Sequence, residues 1–263
     1  MKSLFPVLAG WLLVALVPES RAAEALVRRE WTVDGVKREA LLHVPAAAKT
    51  AVPVVFVFHG HGGSMRQAAW SYPVHELWPE ALVVYMEGLP TPGRLTDRAG
   101  DRNGWQAGPG AQGDRDLKFF DAVLRDLRQE NPVDDRRIYA MGHSNGGGFT
   151  YLLWAMRGGV FAAYGPSAAV IGRDYPPLRP TPVIHVAGEK DPLVKFAWQQ
   201  RMIGWLLRIN QCDPHGQPAG KYLTLYSSKT GTPVMTYIHP GPHTFPPEAT
   251  VQVVNFFKAH PRG

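Results

Sequence analysis

Hydrophobic residues along this chain follow two alternating patterns, one typical of strands and one typical of helices. Residues 26–33 and 36–44 alternate imperfectly around Asp34-Gly35, which predicts a β-hairpin. Later runs are apolar at almost every position, which predicts strands that are buried on both faces of a sheet. These runs occupy residues 52–58, 81–86 and 183–187, with shorter strand patterns at 160–164, 222–226 and 234–238.

Helical spacing of apolar residues separates these predicted strands. The helix that begins after Asp114 carries an apolar stripe and stops at Asn131-Pro132. Further helices are expected directly after residue 146, from about 192 to 209, and from 248 to 259. Strands that alternate with helices predict an α/β fold, with a mostly parallel central sheet covered by helices on both faces. Residues 23–263 are expected to form one domain.

The first 22 residues have the pattern of an export signal. Lys2 precedes an apolar core from residue 4 to 17, and Ser20-Arg21-Ala22 resembles a small-residue cleavage site. We therefore expect a secreted or periplasmic protein without a membrane anchor in its mature form. Cys212 is the only cysteine, so no intramolecular disulfide is possible. The formal net charge of +6 comes from scattered basic residues, which argues against a nucleic-acid partner.

The most informative motif is Gly142-His143-Ser144-Asn145-Gly146, which lies between an apolar run and a helical pattern. A strand, a tight turn that carries serine, and a helix form the setting of a nucleophile elbow. Glycines flank the serine because such a turn leaves little room for a Cβ atom. The following helix would direct backbone N–H groups toward a developing oxyanion. The alternative is an ordinary glycine-rich βα turn.

A nucleophilic serine needs a histidine base and an acid that orients the base. In this architecture the chain order is serine, acid, histidine. Asp191 follows a predicted strand and is our candidate acid, although an aspartate before proline is also a common helix cap. Asp174 and Glu189 are the alternatives. His243 lies in a proline-rich loop and is the candidate base, with His239 as the alternative.

An oxyanion requires two backbone donors close to the developing charge. We expect one from the N–H of Asn145 and the other from the N–H of His61, in the glycine-rich loop after the second buried strand. The pair His59-x-His61 also suggests a metal site. The acid and the further histidine that such a motif needs are missing, because Gly63 and Ser64 follow, so we expect no metal and no cofactor.

The aromatic residues of three loops are candidates for substrate contacts. Trp105 lies in a long glycine-rich loop between residues 87 and 113, and Tyr175 and Phe245 lie in loops after later strands. Together they predict an apolar wall for an acyl or aromatic group. The alternative is that each ring covers the protein core.

Five segments of the chain resemble the family of secreted polyhydroxybutyrate depolymerases, feruloyl esterases and acetyl xylan esterases (carbohydrate esterase family one). They are Phe58-His59-Gly60-His61-Gly62-Gly63-Ser64, Gly104-Trp105, Gly142-His143-Ser144-Asn145-Gly146-Gly147, Gly188-Glu189-Lys190-Asp191-Pro192 and His243-Thr244-Phe245-Pro246. The resemblance implies an α/β-hydrolase fold. It also implies that Ser144 is the nucleophile, Asp191 the acid and His243 the base, with His61 and Asn145 at the oxyanion positions.

The function expected from these observations is that of an exported serine esterase that works through an acyl-enzyme. No long insertion precedes the final strands, so we expect an open groove without a large lid. The substrate would be a hydroxycinnamoyl or acetyl ester of plant polysaccharide, or alternatively a hydroxyalkanoate polyester. Two other classes remain open at this stage: a non-catalytic carbohydrate-binding protein on a hydrolase scaffold, and a peptidase of the same fold.

Overall fold

A computed structural model describes residues 26–46, 50–172 and 174–263. The export signal expected in residues 1–22 lies outside the described residues. Within them, the strands are β1 (Val27–Val33), β2 (Val36–His43), β3 (Val52–Phe58), β4 (Leu82–Met86), β5 (Leu89–Pro90), β6 (Asn103–Gly104), β7 (Val133–His143), β8 (Ala163–Ser167), β9 (Val183–Gly188), β10 (Gln217–Gly220), β11 (Leu223–Tyr226) and β12 (Val234–His239). The helices are α1 (Met65–Ser71), α2 (Val74–Leu77), α3 (Arg115–Glu130), α4 (Asn145–Arg157), α5 (Phe196–Ile209) and α6 (Pro247–Ala259).

Ten of the described strands form one sheet, in the order β1-β2-β4-β3-β7-β8-β9-β12-β11-β10. The six central strands, from β4 to β12, run parallel to one another. Two antiparallel strands extend the sheet at each edge, and one of these edge pairs is the predicted hairpin of β1 and β2. The carboxyl ends of all six central strands therefore lie at one edge of the sheet, where ligands bind in open α/β folds.

The central strands bury both faces, as their continuous apolar sequences predict. Every residue of β3 and of β4 is buried. On one face, Phe56 and Phe58 join a cluster with apolar residues of α3, α4 and α5. On the other face, Val55 and Val57 pack in a second cluster with α1, α2 and α6. The prediction of a mostly parallel sheet with helices on both faces is confirmed.

Several details of the secondary structure differ from expectation, among them strand β8, which spans Ala163–Ser167 rather than residues 160–164. Helix α5 begins at Phe196 rather than near residue 192, because the turns formed by residues 191–195 use the Asp191 side chain as an acceptor instead of helical carbonyls. The short helices α1 and α2 were not expected. Ser64 initiates α1 by accepting a hydrogen bond from the Gln67 N–H. No helix in the described part of the chain is both long and apolar enough to cross a bilayer.

Candidate active site

Ser144 occupies a sharp turn between the end of β7 and the start of α4. Its backbone has φ 56° and ψ −120°, a left-handed conformation that disfavours residues with a side chain. Gly142 and Gly146 permit the turn, because a Cβ at Gly146 would lie 2.3 Å from the Phe58 carbonyl oxygen and a Cβ at Gly142 would lie 2.5 Å from that of Gly146. The turn is the strand-serine-helix arrangement that the sequence predicts.

The side chains of Ser144, His243 and Asp191 form a continuous chain of hydrogen bonds. The Ser144 Oγ donates to His243 Nε2 at 2.8 Å. His243 Nδ1 in turn donates to Asp191 Oδ2 at 2.7 Å. The histidine side chain is 14% exposed and the aspartate side chain is fully buried. This arrangement lets the imidazole accept the serine proton while the carboxylate holds the tautomer that can accept it.

Asp191 is held in place by three further donors. Its Oδ1 accepts the backbone N–H groups of Leu193 at 2.8 Å and Val194 at 2.9 Å. Its Oδ2 also accepts from Gln199 Nε2 at 3.2 Å. The carboxylate thus shapes the turn before α5 and at the same time contacts His243, so capping this turn does not prevent that contact. The alternative acid Glu189 is exposed and Asp174 is also exposed.

Gln199 was not anticipated from the sequence. It is fully buried on the inner face of α5, where Met202 and Ile203 follow it at helical spacing. A glutamine on the apolar side of a helix is the signal that points to a buried polar partner. Here its amide orients the acid of the hydrogen-bonded chain.

Two backbone N–H groups beside Ser144 have no acceptor within the described ranges, those of His61 and Asn145. Asn145 is the first residue of α4, where the helix dipole favours negative charge. The loop that carries His61 approaches Ser144 closely, since a Cβ at Gly60 would lie 3.6 Å from the Ser144 Cβ. Ser144, His61 and Asn145 line the same cavity. Their use as oxyanion donors stays a prediction.

The Asn145 side chain connects the elbow to the long loop after β4. Its Oδ1 accepts the Trp105 N–H at 2.6 Å, and its Nδ2 donates to the Trp105 carbonyl at 3.1 Å. The side-chain amide therefore imitates a strand partner for Trp105. This contact was not foreseen, because it depends on how the loop folds back over the helix.

Trp105 does not line the cavity, which corrects the prediction that its ring contacts substrate. The side chain is fully buried, with its ring stacked on Phe149 at 5.1 Å and edge-on to Phe58 at 5.2 Å. Its Nε1 donates to the His59 carbonyl at 2.9 Å. The tryptophan anchors the loop to the core beneath the elbow.

Phe245 likewise lies outside the cavity wall. Its ring packs on Tyr72 at 4.8 Å and edge-on to His143 at 6.2 Å, on the α1 side of the sheet. The loop after β12 thus directs His243 toward Ser144 and directs Phe245 away from it. Phe245 therefore does not line this cavity, and its contact with substrate stays a prediction.

Tyr175 lines the cavity, and its contact with substrate stays a prediction. The cavity has a volume of about 290 Å³ and reaches from Ser144 and Asn145 to Tyr175 and the loop at residues 92–96. Its wall is mostly apolar, with Val170, Ile171, Leu193, Val194 and Trp198 among its members. The Tyr175 hydroxyl donates to the Ala107 carbonyl at 3.0 Å, and burial raises the pKa of Tyr175 to about 12.

Two more histidines lie near the base but do not share its geometry. His143 is buried against the His243 ring, with 4.8 Å between ring centroids, and contacts the Ser167 Oγ at 3.1 Å through Nδ1. Burial, and then the neighbouring imidazoles of His243 and His239, lower the pKa of His143 to about 3. His239 accepts the Gly241 N–H through Nδ1 and is not bonded to Ser144. His143 therefore stays neutral beside the base.

The suggested metal pair at His59 and His61 is engaged in other contacts. His59 Nδ1 donates to the Gly60 carbonyl at 2.7 Å, and its Nε2 accepts the Gly88 N–H at 2.9 Å. His61 Nε2 donates to Asp97 at 2.9 Å. Within the described ranges, no group of three histidine, cysteine or acidic side chains is placed to hold a metal ion.

Comparison with known sequences relates the chain to hydrolases. A model of the Prolyl oligopeptidase family matches residues 101–173, which include the serine motif. Feruloyl esterase B of Piromyces equi is 30% identical over 122 residues, covering 44% of this chain and 21% of that protein. The bifunctional acetylxylan esterase/xylanase XynS20E of Neocallimastix patriciarum is 30% identical over 97 residues, covering 36% of this chain and 14% of that protein. The chain thus spans less than a quarter of the length of these two relatives.

Comparison with solved structures establishes the fold. Acetyl xylan esterase from Aspergillus awamori superposes with a TM-score of 0.66 at 11% identity, over 88% of this chain and 99% of that one. The S-formylglutathione hydrolase FrmB of Staphylococcus aureus gives 0.63 at 13% identity, over 89% and 98%. The α/β-hydrolase fold is confirmed, and so is the resemblance to esterases of that fold.

Proposed function

Because this chain has the α/β-hydrolase fold and shares sequence with feruloyl and acetylxylan esterases, we propose that it is a serine carboxylic-ester hydrolase. The observation that carries the proposal is the hydrogen-bonded chain from Ser144 through His243 to Asp191. All three groups meet at the carboxyl ends of β7, β9 and β12, although up to 99 residues separate them along the chain. A binding protein would have no need of this alignment.

The proposed mechanism gives one role to each group. Ser144 Oγ attacks the ester carbonyl carbon while His243 Nε2 takes the hydroxyl proton. The negative oxygen of the tetrahedral intermediate accepts the N–H groups of Asn145 and His61. When the intermediate collapses, the carbon–oxygen bond to the alcohol breaks and His243 returns the proton to the leaving alcohol. Water then attacks the acyl-enzyme with His243 again as base, which releases the acid and restores Ser144. Asp191 stabilises the imidazolium in both halves.

The cavity supports a hydroxycinnamoyl acyl group over an acetyl group. An acetyl group would fill a small part of about 290 Å³, whereas an aromatic acyl chain matches both the size and the apolar wall. Tyr175 and Trp198 offer rings on which a planar acyl group stacks. With the export signal expected in residues 1–22, the proposed setting is a secreted or periplasmic enzyme that acts on feruloyl esters of plant polysaccharide.

A polyester depolymerase is the second candidate, and one observation favours it. Leu95 and Leu193 lie at the wall of the cavity and are 55% and 40% exposed. Exposed apolar side chains beside an active site suit a substrate whose backbone is itself apolar, such as a hydroxybutyrate polymer.

Hydrolysis assays on purified protein test these proposals. We expect turnover of p-nitrophenyl acetate and of methyl ferulate, and a fall of about a millionfold in kcat for Ser144→Ala. Acetylated xylan and short polyhydroxybutyrate then identify the preferred ester. A fluorophosphonate should label the parent protein and leave Ser144→Ala unlabelled. Undiminished turnover by Ser144→Ala would contradict a mechanism through Ser144. A parent that neither turns over nor labels would contradict the esterase proposal and favour a binding protein.

A further inference from the structure

Asp97 lies at the centre of the loop that covers one side of the cavity. This loop, residues 91–102, joins the paired strands β5 and β6, and its residues 92–96 form part of the cavity wall. Asp97 has a left-handed φ of 51°. Its carboxylate accepts the backbone N–H groups of Asp101 at 3.3 Å and Arg102 at 3.0 Å, which closes the loop on itself.

The same carboxylate reaches the ring of His61. Asp97 Oδ2 accepts from His61 Nε2 at 2.9 Å, and both side chains are about nine-tenths buried, at 11% and 10% exposure. The hydrogen bond from His61 lowers the pKa of Asp97. The group is therefore a carboxylate at neutral pH, and His61 Nε2 carries the proton of the bond.

The imidazole of His61 packs closely against the backbone of two glycines. A Cβ at Gly104 would lie 2.6 Å from His61 Nδ1, and a Cβ at Gly93 would lie 3.2 Å from the ring. Nδ1 is buried and has no hydrogen-bond partner among the described residues. The bond to Asp97 is thus the polar contact that sets the orientation of the ring.

The orientation of the ring matters because His61 is flanked by glycines. In the segment Gly60-His61-Gly62-Gly63, His61 alone has a side chain that packing can hold. Glycine leaves the backbone free to adopt many conformations. A second contact, from the Gly62 N–H to the Asn103 carbonyl at 2.7 Å, ties the same segment to the end of the same loop. The direction of the His61 N–H therefore depends on the hydrogen bonds that join this loop to the glycine-rich segment.

We propose that Asp97 is a positioning residue for the oxyanion hole, acting through the His61 ring. The proposal rests on the esterase function inferred above. One carboxylate then sets both the wall of the acyl cavity and the direction of an oxyanion donor. Asp97 would then stabilise the transition state more than the bound substrate, because the His61 N–H is directed at an oxygen that becomes charged only in the transition state.

Asp97→Ala tests the proposal, with Asp101→Ala as its matched control. Asp101 is exposed in the same loop, has the same charge, and makes no contact with His61 through its side chain. For p-nitrophenyl acetate we expect kcat of Asp97→Ala to fall about tenfold with little change in KM, below the 10²–10³-fold loss for removal of a whole oxyanion donor. Asp101→Ala should match the parent.

Methylboronic acid, whose methyl group is too small to depend on the wall of the acyl cavity, provides a readout that a purely structural role of Asp97 in that wall would not move. Ser144 Oγ bonds to boron and its proton passes to His243, which leaves a tetrahedral boronate whose oxygen occupies the oxyanion position. The affinity of Asp97→Ala for this inhibitor should fall by the same factor as kcat. Asp97→Asn keeps an oxygen that accepts from His61, so most of the activity and affinity should return. An Asn variant as impaired as the Ala variant would overturn the proposal, and so would a parent-like kcat in Asp97→Ala.

A double-mutant cycle determines whether Asp97 acts through the ring. His61→Ala removes the imidazole and keeps the backbone N–H. In that background, adding Asp97→Ala should change kcat less than about twofold, because the two residues form one unit. Independent, multiplying losses would refute the proposal. Failure of the esterase function itself is distinguishable, since the parent protein would then show no hydrolysis and no fluorophosphonate labelling.

Discussion

Replacing Asp191 by Asn tests the hydrogen-bonded chain with almost no change in side-chain shape. Asp191 Oδ1 accepts the N–H groups of Leu193 and Val194, so the carbonyl oxygen of the new amide is expected to stay on that side. The amide NH₂ then takes the place of Oδ2, which lies 2.7 Å from His243 Nδ1. Two donors would face each other there. His243 relieves the conflict by moving its proton to Nε2, where it can no longer accept the proton of Ser144.

The expected cost follows from this tautomer change. We expect kcat for p-nitrophenyl acetate to fall about 10⁴-fold, which corresponds to about 5.5 kcal/mol of activation free energy. The fold should survive, because two of the hydrogen bonds of the buried carboxylate are kept. The free energy of unfolding should fall by about 1–3 kcal/mol for the bonds that are lost.

The assay pairs steady-state kinetics with thermal melts, and uses Glu189→Gln as the control. Glu189 is an exposed carboxylate two residues before Asp191, and it is one of the two alternative acids that the sequence suggests. Glu189→Gln should keep the kcat of the parent. If Asp191→Asn stays within tenfold of the parent in kcat, Asp191 does not orient the base and the reasoning is wrong.

Three further substitutions, one of them with a matched control, probe the elbow and its surroundings. Gly146→Ala should lower the free energy of unfolding by at least about 3 kcal/mol, because its Cβ would meet a backbone oxygen at 2.3 Å. The control is Gly148→Ala, whose Cβ would meet nothing within 4 Å and which should raise the free energy of unfolding by about 0.5–1 kcal/mol. A smaller loss for Gly146→Ala in urea melts would contradict the clash. His143→Gln should make the free energy of unfolding depend less on pH below neutrality. The pKa of His143 is about 3 when folded and about 6.5 when unfolded, so its contribution is complete above pH 6.5 and lost as pH falls toward 3. Urea melts from pH 7 to pH 4 should show the parent losing about 3 kcal/mol more than the variant, and equal losses would refute this. Asn145→Ala leaves the N–H and C=O of Trp105 without these side-chain partners. We therefore expect the free energy of unfolding to fall by about 1–3 kcal/mol and kcat to be lower. An unchanged melting temperature would argue against the role of Asn145 in anchoring the loop.

The sequence predicts the central sheet well because parallel strands covered on both faces must be apolar throughout. The runs at β3, β4 and β9 carry that signal without ambiguity. Helix starts are harder to predict. The residues after Asp191 have helical character, yet the buried carboxylate captures the first N–H groups and delays α5 to Phe196. That competition depends on where the carboxylate lies in three dimensions.

Some features of the candidate site can also be predicted from the sequence, and others cannot. Chain order and strand ends are enough to select Ser144, Asp191 and His243, because parallel strands bring their carboxyl ends to one edge. The direction of a loop aromatic is not encoded locally. Trp105 turns into the core and Phe245 turns toward α1, while Tyr175 faces the cavity, and nothing in the residues beside them distinguishes the three. Asp97 and Gln199 escape prediction for the same reason, since their partners are distant in the chain.

The backbone conformation of Ser144 has a consequence for the evolution of the protein. Holding a residue with a side chain in this left-handed geometry costs on the order of 1–3 kcal/mol, which glycine would largely avoid. A mutant library selected for heat resistance alone should therefore enrich glycine at position 144 and yield a sturdier protein that has lost its reactive hydroxyl. Under the proposed mechanism, selection for turnover would keep the serine in place against that thermodynamic preference.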